Sequence, residues 1–340
     1  MTAAAAKRAP GVTSSNPVLL LATGLNVPDD LLYMPADGTV LVGEHGNGHI
    51  ARVGGPSRVA RLRQVVPEAE GIAQIGSTVY IADQLHARVV ALTGTGVRTV
   101  LQLQPVPSGE NLDGIAATST QLIVPDSPHG TVLFVDAAGH VTARYGGFSR
   151  PAGVWVEPGG RYLIADENAA AVFELRSNGS VTKLAGNLPG ADDAARAPDG
   201  HVLAILPGLG TLRDVTTGHD VASGLRNPQG LGFDGAQNVL VTESDAGRLE
   251  LIVKTFALQV PAPAVRLVPG QGVCLGILRA RGFAGRLTIE SVSGATVATQ
   301  PSAAASFEVV PAPCAQATCT VSVVVGSPSG HQFADFTYRD

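Results

Sequence analysis

Short apolar runs recur along the first three quarters of the chain, each ending in an acid and followed six positions later by an aliphatic residue. The pairs are Glu44/Ile50, Asp83/Val89, Asp126/Val132, Asp166/Val172, a degenerate Leu206/Leu212, and Glu243/Leu249. Successive intervals are 39, 43, 40, 40 and 37 residues. Runs this short, rich in Val, Ile and Leu and bounded by Gly, Pro and Asp, read as strands. A repeat of about 40 residues built from such strands predicts a β-propeller, one blade per repeat.

Each repeat divides into four elements. An innermost strand opens at a small residue, as in Gly71–Ala73, Gly114–Ala117, Gly153–Val156 and Gly230–Phe233. A turn such as Ala36–Gly38, Pro158–Gly160 or Pro198–Gly200 follows, its Gly supplying a positive φ. The second strand comes next: Thr39–Gly43, Val79–Ala82, Leu122–Pro125, Tyr162–Ala165, Val202–Ile205 and Val239–Thr242. The acid at its end opens a short turn into the third strand. The fourth strand of one repeat, Val181–Pro189, resembles both His219–Pro228 and Val18–Pro28. The last repeat, from Gln229, holds only three strands, so residues 18–23 are expected to supply its outer strand and close the ring. Closure removes the exposed edges that otherwise invite aggregation.

The expected organisation is all-β. Residues 1–17 are an N-terminal extension, 18–257 a six-bladed β-propeller closed by an N-terminal strand, 258–264 a Pro-containing linker, and 265–340 a small C-terminal β-domain. In that last segment alternating stretches at Val265–Leu267, Val273–Leu278, Arg286–Glu290, Ser306–Val310, Thr320–Val325 and Phe333–Tyr338 suggest a β-sandwich of the immunoglobulin-like kind. It lacks the Cys…Trp…Cys spacing of a true immunoglobulin domain.

Composition removes several functions. A net charge of −5 with a pI near 5.9 argues against nucleic acid or an anionic membrane as the main partner. No run of 18 apolar residues occurs, so no membrane span is expected. Lys7-Arg8 ahead of Val18–Ala22 has the outline of a secretory leader, but the apolar run is too short and the closing-strand reading accounts for it better. Cys314 and Cys319 are spaced either to close a small loop disulfide or to remain thiols, with Cys274 left over. The bridge would favour an extracytoplasmic location. No GxSxG, HExxH, phosphate-loop or dinucleotide fingerprint is present.

The consensus Gly71-Ile-Ala…Val79-Tyr-Ile-Ala-Asp83, continued by Arg88-Val89, resembles the NHL repeat. It is also similar to the wider superfamily of six-bladed propellers that includes the senescence-marker-protein/gluconolactonase family and diisopropylfluorophosphatase. The resemblance covers roughly residues 18–257. It implies a site where the starts of the inner strands meet the tunnel mouth. The residues preceding those starts are read here as Asp30, Glu70, Asp113, Ala152, Asp193 and Gln229, with Asp192 a substitute for Asp193. Converging carboxylates repel unless a cation or protonation relieves them, and oxygen-only clusters suit Ca²⁺ best. The superfamily's metal hydrolases draw ligands from the first, third, fourth and fifth blades, which here are Asp30, Asp113, Ala152 and Asp193. Ala152 offers no ligand, so Glu70, Asn111 or Asn227 would have to fill in.

Other residues take plainer readings. The recurring acids are expected to accept backbone N–H bonds in their turns. His86 and His129, three residues beyond Asp83 and Asp126, are candidate general bases, with His45 in the equivalent turn of the first blade. Trp155 is expected in the interblade core. Two functions follow. One is a Ca²⁺-assisted hydrolase of a small lactone or ester at the tunnel mouth. The other is a non-enzymatic propeller binding a protein, peptide or glycan on its top face.

Overall fold

The structure, a computed structural model, describes residues 9–54, 59–260, 265–268, 270–301 and 305–339. Strands between Val18 and Ile252 form six four-stranded antiparallel sheets, here blades I to VI. Blade I runs Pro28–Met34, Thr39–Glu44, His49–Val53 and Val59–Val65 from the inside outwards. Blade II spans Ala69–Ile75 to Val97–Gln102, blade III Ala116–Ala117 to Val141–Gly146, and blade IV Pro151–Glu157 to Val181–Gly186. Blade V spans Ala194–Arg196 to His219–Ser223 and keeps four strands although its acid is replaced by Leu206. Blade VI contains Pro228–Phe233, Val239–Glu243 and Arg248–Ile252, and its fourth strand is Val18–Thr23, paired antiparallel with Arg248–Ile252. The innermost strands contact one another in an unbroken cycle, so the sheets surround a central tunnel.

Apolar patterning follows from this packing. A second strand has a neighbouring blade on each face, so its residues are apolar almost without alternation; Thr39–Glu44 and Val239–Glu243 are buried throughout. Outer strands such as Val141–Gly146 alternate towards solvent. The propeller core is accordingly a set of interblade clusters. Leu41, Ile50, Ile72, Ile81 and Val90 fill the space between blades I and II, and Ile123, Phe134, Val154 and Ile164 that between III and IV. Inner strands approach so closely that Gly71, Gly153 and Gly230 admit no Cβ. One placed on Gly153 would lie 2.6 Å from the carbonyl oxygen of Asp192, and one on Gly230 would lie 2.7 Å from that of Asp29.

The recurring acids are buried scaffold. In blade I, Glu44 accepts the N–H of Asn26 at 2.8 Å and is clamped by Arg61 through Nε at 2.6 Å and Nη2 at 2.7 Å. Asp166 accepts N–H groups from Ser149, Arg150 and Ala169, and Glu243 that of Arg226. Asp83 accepts the N–H of His86 at 3.2 Å and is also held by the His86 ring and Arg88, while Asp126 is held by His129 with Arg144.

Beyond the propeller two further four-stranded sheets pack face to face around Leu275, Phe307, Val323 and Phe336. They include two strands the patterning missed, Phe256–Gln259 and Ala295–Val297. Leu258 and Gln259, read as the start of the linker, therefore belong to a strand that pairs with Val273–Arg279. Residues 261–264 of that linker lie outside the described residues, as do residues 1–8. Cys314 and Cys319 are disulfide-bonded, and Cys274 is free. The sandwich meets the far end of the inner strands. The side chain of Gln332 donates to Asp234 in the first turn of blade VI, and the N–H of His331 donates to the carbonyl of Gly235 at 2.9 Å.

One buried group is misplaced by this logic. Glu250 stands in the third strand of blade VI where blades I, II and III carry Ala51, Val90 and Leu133. Neither of its carboxyl oxygens has a hydrogen-bond partner among the described residues. Burial, then the neighbouring carboxyl of Glu243, pushes it up to about 9. It is therefore neutral in the folded chain at pH 7 and ionised in the unfolded one, so folding must take up a proton. Glu250→Leu is expected to raise stability at pH 7 by about 1–3 kcal/mol, measured by urea unfolding, with little gain near pH 4.

Candidate functional site

The inner strands begin with a shared irregularity. Pro28 pairs with Glu44 and Leu31 with Val42, which leaves two residues to span a one-residue gap on the partner strand. The same shift separates Ala69 from Ile72, Pro151 from Val154, and Pro228 from Leu231. Aligned on these bulges, one ring of equivalent positions is Asp29, Glu70, Asp113, Ala152, Asp192 and Gln229. The next ring inward is Asp30, Gly71, Gly114, Gly153, Asp193 and Gly230. Asp30 and Asp193 thus sit one residue further on than the sequence reading placed them, and Asp29 and Asp192 take their places at the mouth.

The two rings do different work. Asp30 accepts the N–H of Leu31 at 2.6 Å and, across to blade II, that of Ile72 at 3.0 Å. Asp193 repeats the arrangement, accepting from Ala194 at 2.7 Å and from Leu231 of blade VI at 3.0 Å. Each carboxylate therefore ties its own inner strand to the next. In the outer ring, Asp113 accepts from Gln84 Nε2 at 2.8 Å and from Arg150 Nη2 at 3.0 Å. Arg150 also donates through Nε to Glu167 and through Nη1 to the carbonyl of Glu110. Glu70 lies 2.5 Å from Nδ1 of His45 and is hydrogen-bonded to Asp29. Asp192 makes no side-chain hydrogen bond or ion pair among the described residues.

Crowding in a low-dielectric tunnel moves these groups the same way. Burial, then the charge of Glu70, raises Asp29 well above the usual carboxylate range, and burial does the same to Glu70. Asp192 is raised by burial and then by Asp29, Asp113 and Glu167. Asp30 is raised by burial and by Asp193, while burial pushes Asp193 to about 7 against its two N–H donors. Asp113 is raised by burial and only partly drawn back by Arg150.

These residues open onto a cavity of about 370 Å³ along the tunnel. Asp29, Asp30, Asp113, Asp192 and Asp193 line one end, and Tyr33, Gln74 and Trp155 line the remainder. Trp155 also packs edge-on to Phe233 between blades, so it serves core and cavity together. His86 and His129 do not line the cavity; each is bound through Nδ1 to the acid of its own blade, at 2.9 Å to Asp83 and 2.7 Å to Asp126. The histidine that reaches the acid ring is His45.

A calcium ion held by Asp30, Glu70, Asp113 and Asp193 does not fit this arrangement. Both oxygens of Asp30 and of Asp193 already accept backbone N–H groups, Asp113 is paired with a guanidinium, and Glu70 is engaged by His45 and Asp29. Among the described residues no three His, Cys, Asp or Glu side chains group to hold a metal.

No protein-family model and no curated protein matches the chain. Solved structures do. A gluconolactonase from Xanthomonas campestris is 12% identical with a TM-score of 0.58, covering 74% of this chain and 98% of that one. A calcium-binding regucalcin from Agrobacterium tumefaciens is 16% identical with a TM-score of 0.52, covering 68% and 92%. A streptogramin B lyase is 12% identical with a TM-score of 0.51, covering 65% and 77%. These likenesses show the fold alone, a β-propeller.

Because burial raises these acids, the native state keeps protons at pH values where the unfolded chain has released them, above about pH 4. Stability is full below that pH and falls as pH rises through the raised values. Asp192→Asn removes a charge without removing a hydrogen bond. It is expected to raise the melting temperature at pH 8 by several degrees and to leave it unchanged at pH 4, read by calorimetry.

Proposed function

We propose that this protein is a hydrolase of a small lactone or ester, acting in the central tunnel by carboxyl acid–base catalysis. The observation that supports it is a continuous chain of groups: His45 at the half-buried mouth, Glu70 behind it, and Asp29 facing the cavity. A carboxyl kept neutral at working pH is a general acid in waiting, and a second carboxyl behind it holds the proton in place. Asp29 would give its proton to the substrate carbonyl oxygen while its other oxygen takes one from the attacking water. The tetrahedral species then collapses to acid and alcohol, and the carboxyl is restored. Glu70 orients Asp29, and His45 exchanges protons with solvent. A cavity of about 370 Å³ lies within the usual range for a small ligand, about 300–1,000 Å³. The similar structures supply the lactone class as a reading, by analogy of fold alone.

The test is a panel of δ-gluconolactone, γ-lactones and 4-nitrophenyl esters, with and without EDTA. Asp29→Asn is expected to lower kcat/KM by about 10²–10⁴-fold, with EDTA without effect. Turnover lost to EDTA and restored by Ca²⁺ would establish the metal-assisted reading instead. A panel left untouched by wild-type protein would leave the tunnel as a binding site, and the protein as a recognition module for a protein, peptide or glycan.

A further inference from the structure

The outer ring contains one acid that nothing in the fold satisfies. Asp29 has Glu70, Glu70 has His45, and Asp113 has Gln84 and Arg150. Asp30 and Asp193 each hold two N–H groups. Asp192 alone stands half-buried at the tunnel mouth with its carboxyl on the cavity and no hydrogen-bond or ion-pair partner among the described residues. The charged groups around it come from five blades: Asp29 from I, Glu70 from II, Asp113 from III, Glu167 from IV and Asp193 from its own blade V. All are acids. The cation in this neighbourhood, Arg150, is saturated by Asp113, Glu167 and Glu110. An isolated carboxylate in such a place costs several kcal/mol unless it is protonated or matched by a counter-charge.

We propose that the tunnel takes an organic cation, a protonated amine or quaternary ammonium on a small apolar body, whose charge is matched by Asp192. This rests on the reading of the tunnel as a small-molecule site, and on the hydrolase reading the substrate becomes an amino ester or amino lactone. A bare metal ion suits the place less well, because the neighbouring carboxylate oxygens are already committed to N–H donors and cannot turn to complete a coordination shell. The walls beyond the acid end are apolar and aromatic, including Trp155 and Tyr33, which fit the hydrocarbon part of such a ligand and offer ring faces to its charge. An anionic substrate is disfavoured by the same ring of acids. Cation binding lowers the proton affinity of Asp192, so it should expel a proton and tighten as pH rises.

The experiment is calorimetric titration of the full chain with benzyltrimethylammonium, with benzyl alcohol as its neutral counterpart, and with CaCl₂. Benzyltrimethylammonium is expected to bind and benzyl alcohol to bind at least about tenfold more weakly; Asp192→Asn should cost the ammonium at least about tenfold and leave the alcohol unchanged. Asp199→Asn, at a distant surface turn, should change neither. If Asp192→Asn fails to fold, wild-type titrations in buffers of different ionisation heat decide the point, since proton release on ammonium binding is required. Equal binding of ammonium and alcohol, Ca²⁺ binding without ammonium binding, or no proton release would overturn the proposal. Ammonium binding without turnover of any ester would sink the hydrolase reading alone. Neutral lactones turned over as fast as amino esters would sink this one alone.

Discussion

The molecule depends on one recurring contact, in which a buried carboxylate at the end of a second strand grips the backbone that leads into the same blade. Glu44 holds Asn26, Asp166 holds Ser149 and Arg150, and Glu243 holds Arg226. Each grip sets where its inner strand starts. The bulge that follows then points the next residue into the tunnel, and repetition around the ring brings six such positions together. A scaffold contact thus decides which side chains meet, although the scaffold acids themselves never face the cavity.

Most of this architecture was legible. Strand period, turn glycines and the 40-residue interval were enough for six blades, and the likeness between Val18–Pro28 and Val181–Pro189 was enough to foresee the closing strand. The site was legible only in part. Glu70 and Asp113 were located correctly because Gly71 and Gly114 mark the register directly. Blades I and V carry Asp30 and Asp193 in place of that glycine, so counting back from the first apolar residue landed one position late. A better marker was present: Pro28, Pro151 and Pro228 occupy the same step, and counting forward from Pro28 reaches Asp29. Blade V has neither proline nor a second-strand acid, and its register emerges only from hydrogen bonding between Asp193 and Ile205. The partners of the acids were not readable at all. His45, Gln84 and Arg150 come from strand ends and crossovers whose sequence neighbours say nothing of which blade they will face.

The tunnel mouth also shows a conflict the fold resolves unevenly. Seven acids, Asp29 and Asp30 of blade I, Glu70 of II, Asp113 of III, Glu167 of IV, and Asp192 and Asp193 of V, crowd one end of the tunnel around the guanidinium of Arg150. Some are spent on strand-to-strand hydrogen bonds, which is a structural use of the same chemistry. Burial raises Asp29, Glu70 and Asp192, and the proton uptake that follows weakens the fold at alkaline pH. Local rules broken without structural compensation are most often found where a protein meets its ligand.

The strand Val18–Thr23 has a consequence of another kind. Its partner, Arg248–Ile252, is more than two hundred residues away, so a chain emerging from the ribosome carries an apolar strand without a mate until nearly the whole propeller has been made. Five blades can assemble in order from local contacts, but the circle cannot be sealed early. Closure is then a late, single event with a large loop entropy behind it. The sandwich is made only after that, and its Gln332 and His331 settle onto the blade that has just been completed.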